Sequence, residues 1–250
     1  MARARFGADV LFHLCVSVIS VRDLRVGLLG GTFDPVHVGH LAVAETVLTR
    51  LRLDRMLFIP AARPPHKKGH IITSFRHRAA MLELALASFP AYELWPLEEE
   101  RPGPSFSIDT LRELRLRLGD ESRFFFITGF DAFSEINSWK EWDHLLALTA
   151  IVVIDRPSHD GGNMAELVKS LFPGYAAGAA GVWSAETGEN IYSLAMEPVP
   201  VSSTGIRKRV QAGQSVASLV PPDVERYIRE HSLYIRRQRT EDRGQRLGDG

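Results

Sequence analysis

The chain has 250 residues, 45% of them hydrophobic, and its 30 Lys and Arg are balanced by 30 Asp and Glu. That length and apolar share suit one α/β domain with a sizeable core, with or without extensions. Balanced charge with no basic stripe removes the electrostatic footprint of nucleic-acid binding, and the single cysteine, Cys15, excludes an internal disulfide framework and fits a reducing cytoplasm.

Taken in order, the chain begins with an apolar run, Val10–Ile19, that follows Arg3 and Arg5 and faintly resembles a signal peptide. Asp9 and His13 interrupt it, no small-x-small cleavage site precedes the next strand, and it is shorter than the roughly 20 residues of a membrane span. Residues 1–22 are therefore expected to be a non-essential extension, with a docked extra strand as the second reading, and no membrane partner is expected. Val26–Leu29 reads as a short buried strand. Leu41, Ala44, Leu48 and Leu51 then recur at helical spacing, so a helix opens at about His40. Between them lies Gly30-Gly31-Thr32-Phe33-Asp34-Pro35-Val36-His37-Val38-Gly39-His40-Leu41. A strand, a glycine turn and a helix N-terminus collect backbone N–H groups and the positive end of a dipole, which suits a phosphate. Neither G-x-G-x-x-G nor G-x-x-x-x-G-K-[ST] is present. The stretch offers two imidazoles, His37 and His40, instead. They suit phosphate oxygens better than a metal, because His13, His66, His70, His77, His144, His159 and His231 add no ligand spacing.

Met56–Ile59 is the second strand, followed by a proline-stiffened loop, Pro60–Gly69, that carries Lys67 and Lys68. On composition alone that loop is solvated. Phe75–Ala87 is a helix on Ala79, Leu82 and Leu86, with Arg76 and Arg78 read as solvated or paired. Tyr92–Trp95 is a strand, Glu98–Ser107 a loop, and Ser107 the N-cap of a helix that buries Leu111, Leu114 and Leu118 and stops at Gly119. Asp109 and Thr110 sit in its first turn, where an acid complements the dipole. Phe124–Thr128 should be a central parallel strand running into Gly129-Phe130-Asp131. Trp139 and Trp142, three apart, read as helical core, continued by Leu145, Leu146 and Leu148. Ala150–Ile154 is the fifth strand, Met164–Phe172 a helix, Gly174–Gly181 a turn or loop, and Ile191–Met196 the last strand. In Val201-Ser202-Ser203-Thr204-Gly205-Ile206-Arg207, hydroxyls cap a new helix and Arg207, one turn in, offers a multi-donor cation to phosphates. Gly213 ends that helix. Pro221–His231 forms an amphipathic helix on Val224, Tyr227 and Ile228, and residues 236–250 are polar enough to be disordered. Alternating strands and helices imply right-handed βαβ units and a doubly wound, mostly parallel, Rossmann-like α/β sheet.

The stretch Gly30–Leu41 resembles the G-x-F-x-P-x-H-x-G-H signature of the nucleotidyltransferases that adenylylate or cytidylylate phosphate monoesters, and its detailed form is most similar to bacterial nicotinate-nucleotide adenylyltransferases. Three further stretches resemble the same family in the same order. They are Pro60–Lys67, Gly103–Leu111 with Trp139, and the Val201–Arg207 motif, so residues 23–235 are expected to be the transferase domain. Members usually begin near the position of Arg25. The resemblance implies transfer of AMP from ATP to nicotinate mononucleotide, giving deamido-NAD+ and pyrophosphate, with Mg2+ carried by ATP. It places Gly30, Gly31, Thr32, Phe33, His37, His40, Ser202, Ser203, Thr204 and Arg207 at ATP. His40 would be nearest the α-phosphoryl, and Arg207 and Lys67 would take the pyrophosphate charge. It places Ser107, Asp109, Thr110, Asp131 and Trp139 at nicotinate mononucleotide, with Trp139 stacking on the ring, Thr110 near its carboxylate and Asp131 on a ribose or on Mg2+. Phe130 stands where the family more often has alanine, which adds bulk beside that site. A phosphate nucleophile is ionised near neutrality, its second pKa being about 6, so no general base is required. A sister transferase for nicotinamide mononucleotide or another phosphate monoester is the alternative, and a non-catalytic nucleotide-binding regulator the more distant one. The setting implied is cytoplasmic, and homo-oligomerisation stays open.

Overall fold

Apolar side chains of the parallel strands alternate between two cores in the computed structural model, which describes residues 24–64, 72–155 and 164–235. The run 1–22, Lys67 and the tail 236–250 lie outside the described residues. Strands β1 (Arg25–Gly31), β2 (Arg55–Pro60), β3 (Tyr92–Leu94), β4 (Arg123–Gly129), β5 (Ala150–Asp155), β6 (Ala176–Ala177), β7 (Val182–Ser184) and β8 (Ile191–Ala195) form one sheet. Their order is β3-β2-β1-β4-β5-β8-β7-β6. All neighbours from β3 to β8 pair in parallel, and the β8-β7-β6 edge is antiparallel. Met56 and Phe58 of β2, Phe125 and Ile127 of β4, and Val152 and Ile154 of β5 enter one core. Leu57, Ile59, Phe124, Ile151 and Val153 enter the other. A strand sends successive side chains to opposite faces, and both faces are covered, which is why these strands read as unbroken apolar runs.

The first core is closed by helices α1 (Val38–Arg50) and α2 (Phe75–Leu86) and, from the C-terminal part, α7 (Ser203–Gln211) and α8 (Pro222–Glu230). The second is closed by α3 (Leu97–Glu100), α4 (Ser107–Leu118), α5 (Phe130–Ser134) and α6 (Met164–Leu171). The expected doubly wound, mostly parallel sheet is the observed one. Because β2 lies on one side of β1 and β4 on the other, the winding reverses between β1 and β4. Ligands of such sheets bind outside the strand ends at that reversal.

Several local expectations are corrected. Strand β1 continues through Gly30 and Gly31, neither of which has positive φ; the left-handed residue of the turn is Phe33, at φ 48. Residues 98–100, expected as the start of a loop, belong to α3. The N-cap of α4 is Phe106, with Ser107 as the first helical residue and no side-chain cap. Trp139 is not helical: it is extended, at φ −81 and ψ 150, between 3-10 turns at Ile136–Ser138 and Trp142–Ala147. A small antiparallel hairpin, β6 and β7, occupies part of the stretch expected as a turn or loop.

Candidate active site

A cavity of about 640 Å3 opens at the carboxyl ends of β1 and β4, lined there by Leu29, Gly30, Gly31, Phe126, Ile127, Thr128 and Gly129. Ser107, Thr110 and Trp139 line its far side. A second cavity of about 260 Å3 is lined by His37, Gly39, Ser202, Ser203 and the Met196–Val199 segment. His40 lines both. The two sequence motifs, more than 160 residues apart, are in direct contact. The Ser203 hydroxyl donates to the Pro35 carbonyl at 2.9 Å, and Arg207 Nη1 donates to the Asp34 carbonyl at 2.7 Å. Helix α7 begins as expected, with the Ser202 hydroxyl accepting the Gly205 amide at 3.1 Å.

The histidines are held as a pair. Their rings stack at 3.7 Å, and the His37 amide donates to His40 Nδ1 at 3.2 Å. A ring nitrogen that accepts does not carry the proton, so the N–H of His40 is on Nε2. Phe33, 1% exposed, packs edge-on against His40 at 4.9 Å and occupies the space over Gly31, where a Cβ would sit 3.0 Å from its ring. Phe33 thus supports His40 from the core and lines neither cavity. Burial pushes the His37 pKa down to about 4 from 6.5, so at neutral pH it is an imidazole and not a cation. Helix α1 offers fewer amides than its start suggested, because Val38 N–H is taken by the Leu219 carbonyl at 3.0 Å.

The His37 shift has a consequence for stability. The unfolded chain takes a proton at pH 6.5, whereas the folded one resists it until about pH 4. The unfolded state therefore binds more protons in that window, and stability present above pH 6.5 is lost as pH falls towards 4. The melting temperature should decline across the window, and His37→Gln, which cannot titrate, should decline less. An equal decline in both proteins would assign the loss to other groups.

Gly39 is required by close approach. A Cβ there would lie 2.9 Å from Val201 Cγ1 and 3.1 Å from His37 Nδ1, and a branched valine has little freedom to yield. Gly39→Ala should therefore move the His37 ring and the second motif apart and lower kcat by about 3- to 10-fold, since small displacements of positioned groups are costly. Steady-state kinetics on the folded variant checks this, and unchanged kcat would show that the contact tolerates the methyl.

At the other end, the Thr110 hydroxyl donates to Glu98 Oε1 at 2.8 Å and accepts from Arg101 Nη2 at 2.9 Å. Glu98 is 8% exposed, lines the large cavity, and its Oε2 has no partner among the described residues. Asp109 is turned to Lys140 Nζ, at 2.9 and 3.0 Å, and lies outside the cavity lining, whereas Lys140 is part of it. Trp139 lines the cavity and meets Phe126 edge-on at 5.9 Å, while Trp142 packs on Phe172 at 5.5 Å. Asp131 is exposed on the first turn of α5 and does not line the cavity; its neighbours Gly129 and Ala132 do. Thr204 is exposed and accepts from Arg207 Nη2 at 3.3 Å. The structure thus gathers His37, His40, Gly30, Gly31, Thr32, Ser202, Ser203, Ser107, Thr110 and Trp139 around the two cavities. Phe33, Asp109, Asp131, Thr204 and Arg207 stand apart from the lining, and Lys67 falls outside the described residues. Glu98 and Lys140 were missed. Glu98 stood in an acidic run that reads as solvated, and nothing in sequence sets Lys140 apart from other surface lysines.

A reversed parallel sheet whose switch point is lined by paired imidazoles, hydroxyls and a capped helix defines a nucleotide-binding α/β protein built around phosphate. The cytidylyltransferase-like family model matches residues 28–209. A probable nicotinate-nucleotide adenylyltransferase of Geobacter sulfurreducens is 42% identical over 218 residues, covering 84% of this chain and 98% of the relative. One of Thermoanaerobacter sp. is 38% identical over 213 residues, covering 85% and 95%. The chain belongs to the cytidylyltransferase-like family, within its nicotinate-nucleotide adenylyltransferase branch. Among solved structures, Plasmodium falciparum nicotinic acid mononucleotide adenylyltransferase complexed with NaAD superposes with a TM-score of 0.65 at 19% identity, covering 84% of this chain and 97% of that one. At that identity the likeness shows the fold.

Proposed function

We propose that the chain transfers AMP from ATP to the 5′-phosphate of nicotinate mononucleotide, forming deamido-NAD+ and pyrophosphate, with residues 23–235 as the transferase domain. The observation that carries this reading is His40, which lines both cavities and so stands where two bound substrates would meet. The larger cavity takes the pyridine nucleotide at Trp139 and the start of α4, and part of ATP at Gly30, Gly31 and Thr32. The smaller, with Ser202, Ser203 and His37, takes part of ATP. An oxygen of the acceptor phosphate forms a bond to the α-phosphorus, the bond from that phosphorus to the bridging β-oxygen breaks, and pyrophosphate leaves with the electron pair. Near neutrality the acceptor needs no base, because its second pKa is about 6. What the site must supply is alignment and charge stabilisation. His40 Nε2–H donates to the transferred phosphoryl, His37 to the neighbouring phosphate, and the remaining guanidinium protons of Arg207 to the departing pyrophosphate. Lys67 keeps the same assignment from resemblance alone.

Mg2+ would neutralise triphosphate charge when bound. Among the described residues no group of three or more His, Cys, Asp or Glu could hold a metal ion, and Asp131 stands off the cavity. The described residues thus offer no protein cage for the ion, and the reading leaves the ion on the nucleotide. No helix among the described residues is long and apolar enough to cross a membrane. ATP and nicotinate mononucleotide, met in the cytoplasm, are the partners in this reading.

The test is pyrophosphate release from ATP with nicotinate mononucleotide, nicotinamide mononucleotide and phosphopantetheine offered separately. Nicotinate mononucleotide should be the best acceptor. Release with phosphopantetheine alone would overturn the assignment, and release with none would favour a nucleotide-binding regulator.

A further inference from the structure

The loop that leads from β1 to His37 is held from behind by donors that line neither cavity. Arg78, 1% exposed on α2, donates from Nη1 to the Thr32 carbonyl at 2.6 Å and from Nε to the Thr73 carbonyl at 2.9 Å. The sequence alone suggests a solvated or paired arginine at this position. Asp34, 4% exposed, accepts the Thr73 amide on Oδ2 at 3.2 Å and the Tyr234 hydroxyl on Oδ1 at 2.8 Å. With Arg207 on the Asp34 carbonyl and Ser203 on that of Pro35, the carbonyls of Thr32, Asp34 and Pro35 are each taken by a side chain from another element. Phe33, between the first two, packs on the His40 ring, so any shift of this loop is passed to His40.

Stability alone does not account for this arrangement. Burying a guanidinium is costly, and an apolar side chain of similar volume often serves stability as well or better. Helix α2 places Met81 and Leu82 in the same core without that cost. Burial lowers the Arg78 pKa, opposed first by Asp34. Burial and the Asp34 carboxylate raise that of Tyr234, which keeps its phenol protonated as a donor. What the two residues gain is a fixed loop.

We propose that Arg78 and Tyr234 are positioning residues for phosphoryl transfer: by fixing the Thr32 carbonyl and the Asp34 carboxylate, they set the stacked His37–His40 pair at the junction of the cavities. This rests on the adenylyl-transfer reading, and its test separates the two. Tyr234→Phe removes only the hydroxyl, and Arg78→Lys keeps the charge but cannot serve two carbonyls from separate nitrogens. Each folded variant should lower kcat about 5- to 10-fold, with KM for nicotinate mononucleotide within about twofold of wild type, because misplacement of a positioned group acts on the transition state. The double variant should lose less than the product of the two single losses, since both act through one loop. Binding of a non-hydrolysable ATP analogue, followed by calorimetry, should weaken by about 5-fold in each variant, and this readout stands even if nicotinate mononucleotide is not the acceptor. If kcat and analogue affinity match wild type in folded Tyr234→Phe, the proposal is overturned, whatever the melting temperature does. Should Arg78→Lys fail to fold, Tyr234→Phe alone decides.

Discussion

Replacing His40 with alanine is expected to lower kcat by roughly 100-fold or more while the protein stays folded, the loss associated with removing one preorganised donor at a developing charge. The fold loses the capping bond from the His37 amide and the ring contacts with Phe33 and His37, a limited stake at the start of one helix. His40 is half-buried on the first turn of α1, and alanine is the best helix former. The site has much more at stake. His40 Nδ1 is fixed by the His37 amide at 3.2 Å, which directs the proton to Nε2, and Phe33 and the His37 ring hold the imidazole from two sides. Such a donor needs no reorganisation when charge builds on the phosphoryl oxygens. Because the interaction is strongest in the transition state, kcat should fall further than KM rises. Steady-state kinetics with circular dichroism and a melting curve checks both halves. Wild-type turnover in folded His40→Ala would sink the assignment of the junction.

The parts of this molecule that were legible in the sequence are those whose cause is local. The unbroken apolar runs of β1, β2, β4 and β5 announce strands covered on both faces, and the hydroxyl cap of α7 is a four-residue signal. Features set by distant contacts were hidden. The Tyr234–Asp34 bond spans 200 residues and the Arg78–Thr32 bond 46, and neither pair stands out by composition. Glu98-Glu99-Glu100 has the composition of a solvated run, yet α3 turns the first of the three inward beneath Thr110. Strands β6 and β7, two and three residues long, are too short to show a period of two. The tryptophan spacing misled for a different reason. Glu141 adopts φ 49 between the two rings, which breaks the helix that the spacing suggests and leaves Trp139 extended at the cavity wall. Glycine misled too: Gly31 leaves room for the Phe33 ring, a Cβ at Gly30 would meet nothing within 4 Å, and neither residue makes the turn by positive φ.

Nicotinate mononucleotide should be preferred over nicotinamide mononucleotide by at least roughly tenfold in kcat/KM, the ratio that corresponds to ~1.4 kcal/mol. The two differ by a carboxylate against a neutral amide, so a selective pocket must offer donors and withhold unpaired acceptors. The start of α4 is where donors are to be found: Phe106 and Ser107 line the cavity there, and no side chain caps the amides of the first turn. Asp109, which would repel an anion there, is committed to Lys140, a residue that itself lines the cavity. Glu98 also faces this end: Thr110 bonds its Oε1, Arg101 stands on the other side of that hydroxyl as a compensating cation, and its Oε2, unpaired among the described residues, is buried and not presented at the surface. These contacts change the role of Thr110. Its proton goes to Glu98, so it is not the donor to the substrate carboxylate. Thr110→Val should leave the buried Glu98 Oε1 without its hydroxyl partner and remove one of the bonds of Arg101, which keeps its pairing with Glu113; an unpaired buried acceptor commonly costs about 1–3 kcal/mol. The substitution should then lower the melting temperature and reduce efficiency with both nucleotides in proportion. Ser107→Ala should instead narrow the gap between them, because it removes a donor without disturbing Glu98. Trp139→Ala should raise KM for both, since stacking on the ring is indifferent to the carboxylate. The decisive measurement is kcat/KM for each nucleotide in the wild type and the three variants. Equal efficiency in the wild type would make the enzyme dual in specificity, and a gap narrowed by Thr110→Val but not by Ser107→Ala would return the recognising role to Thr110.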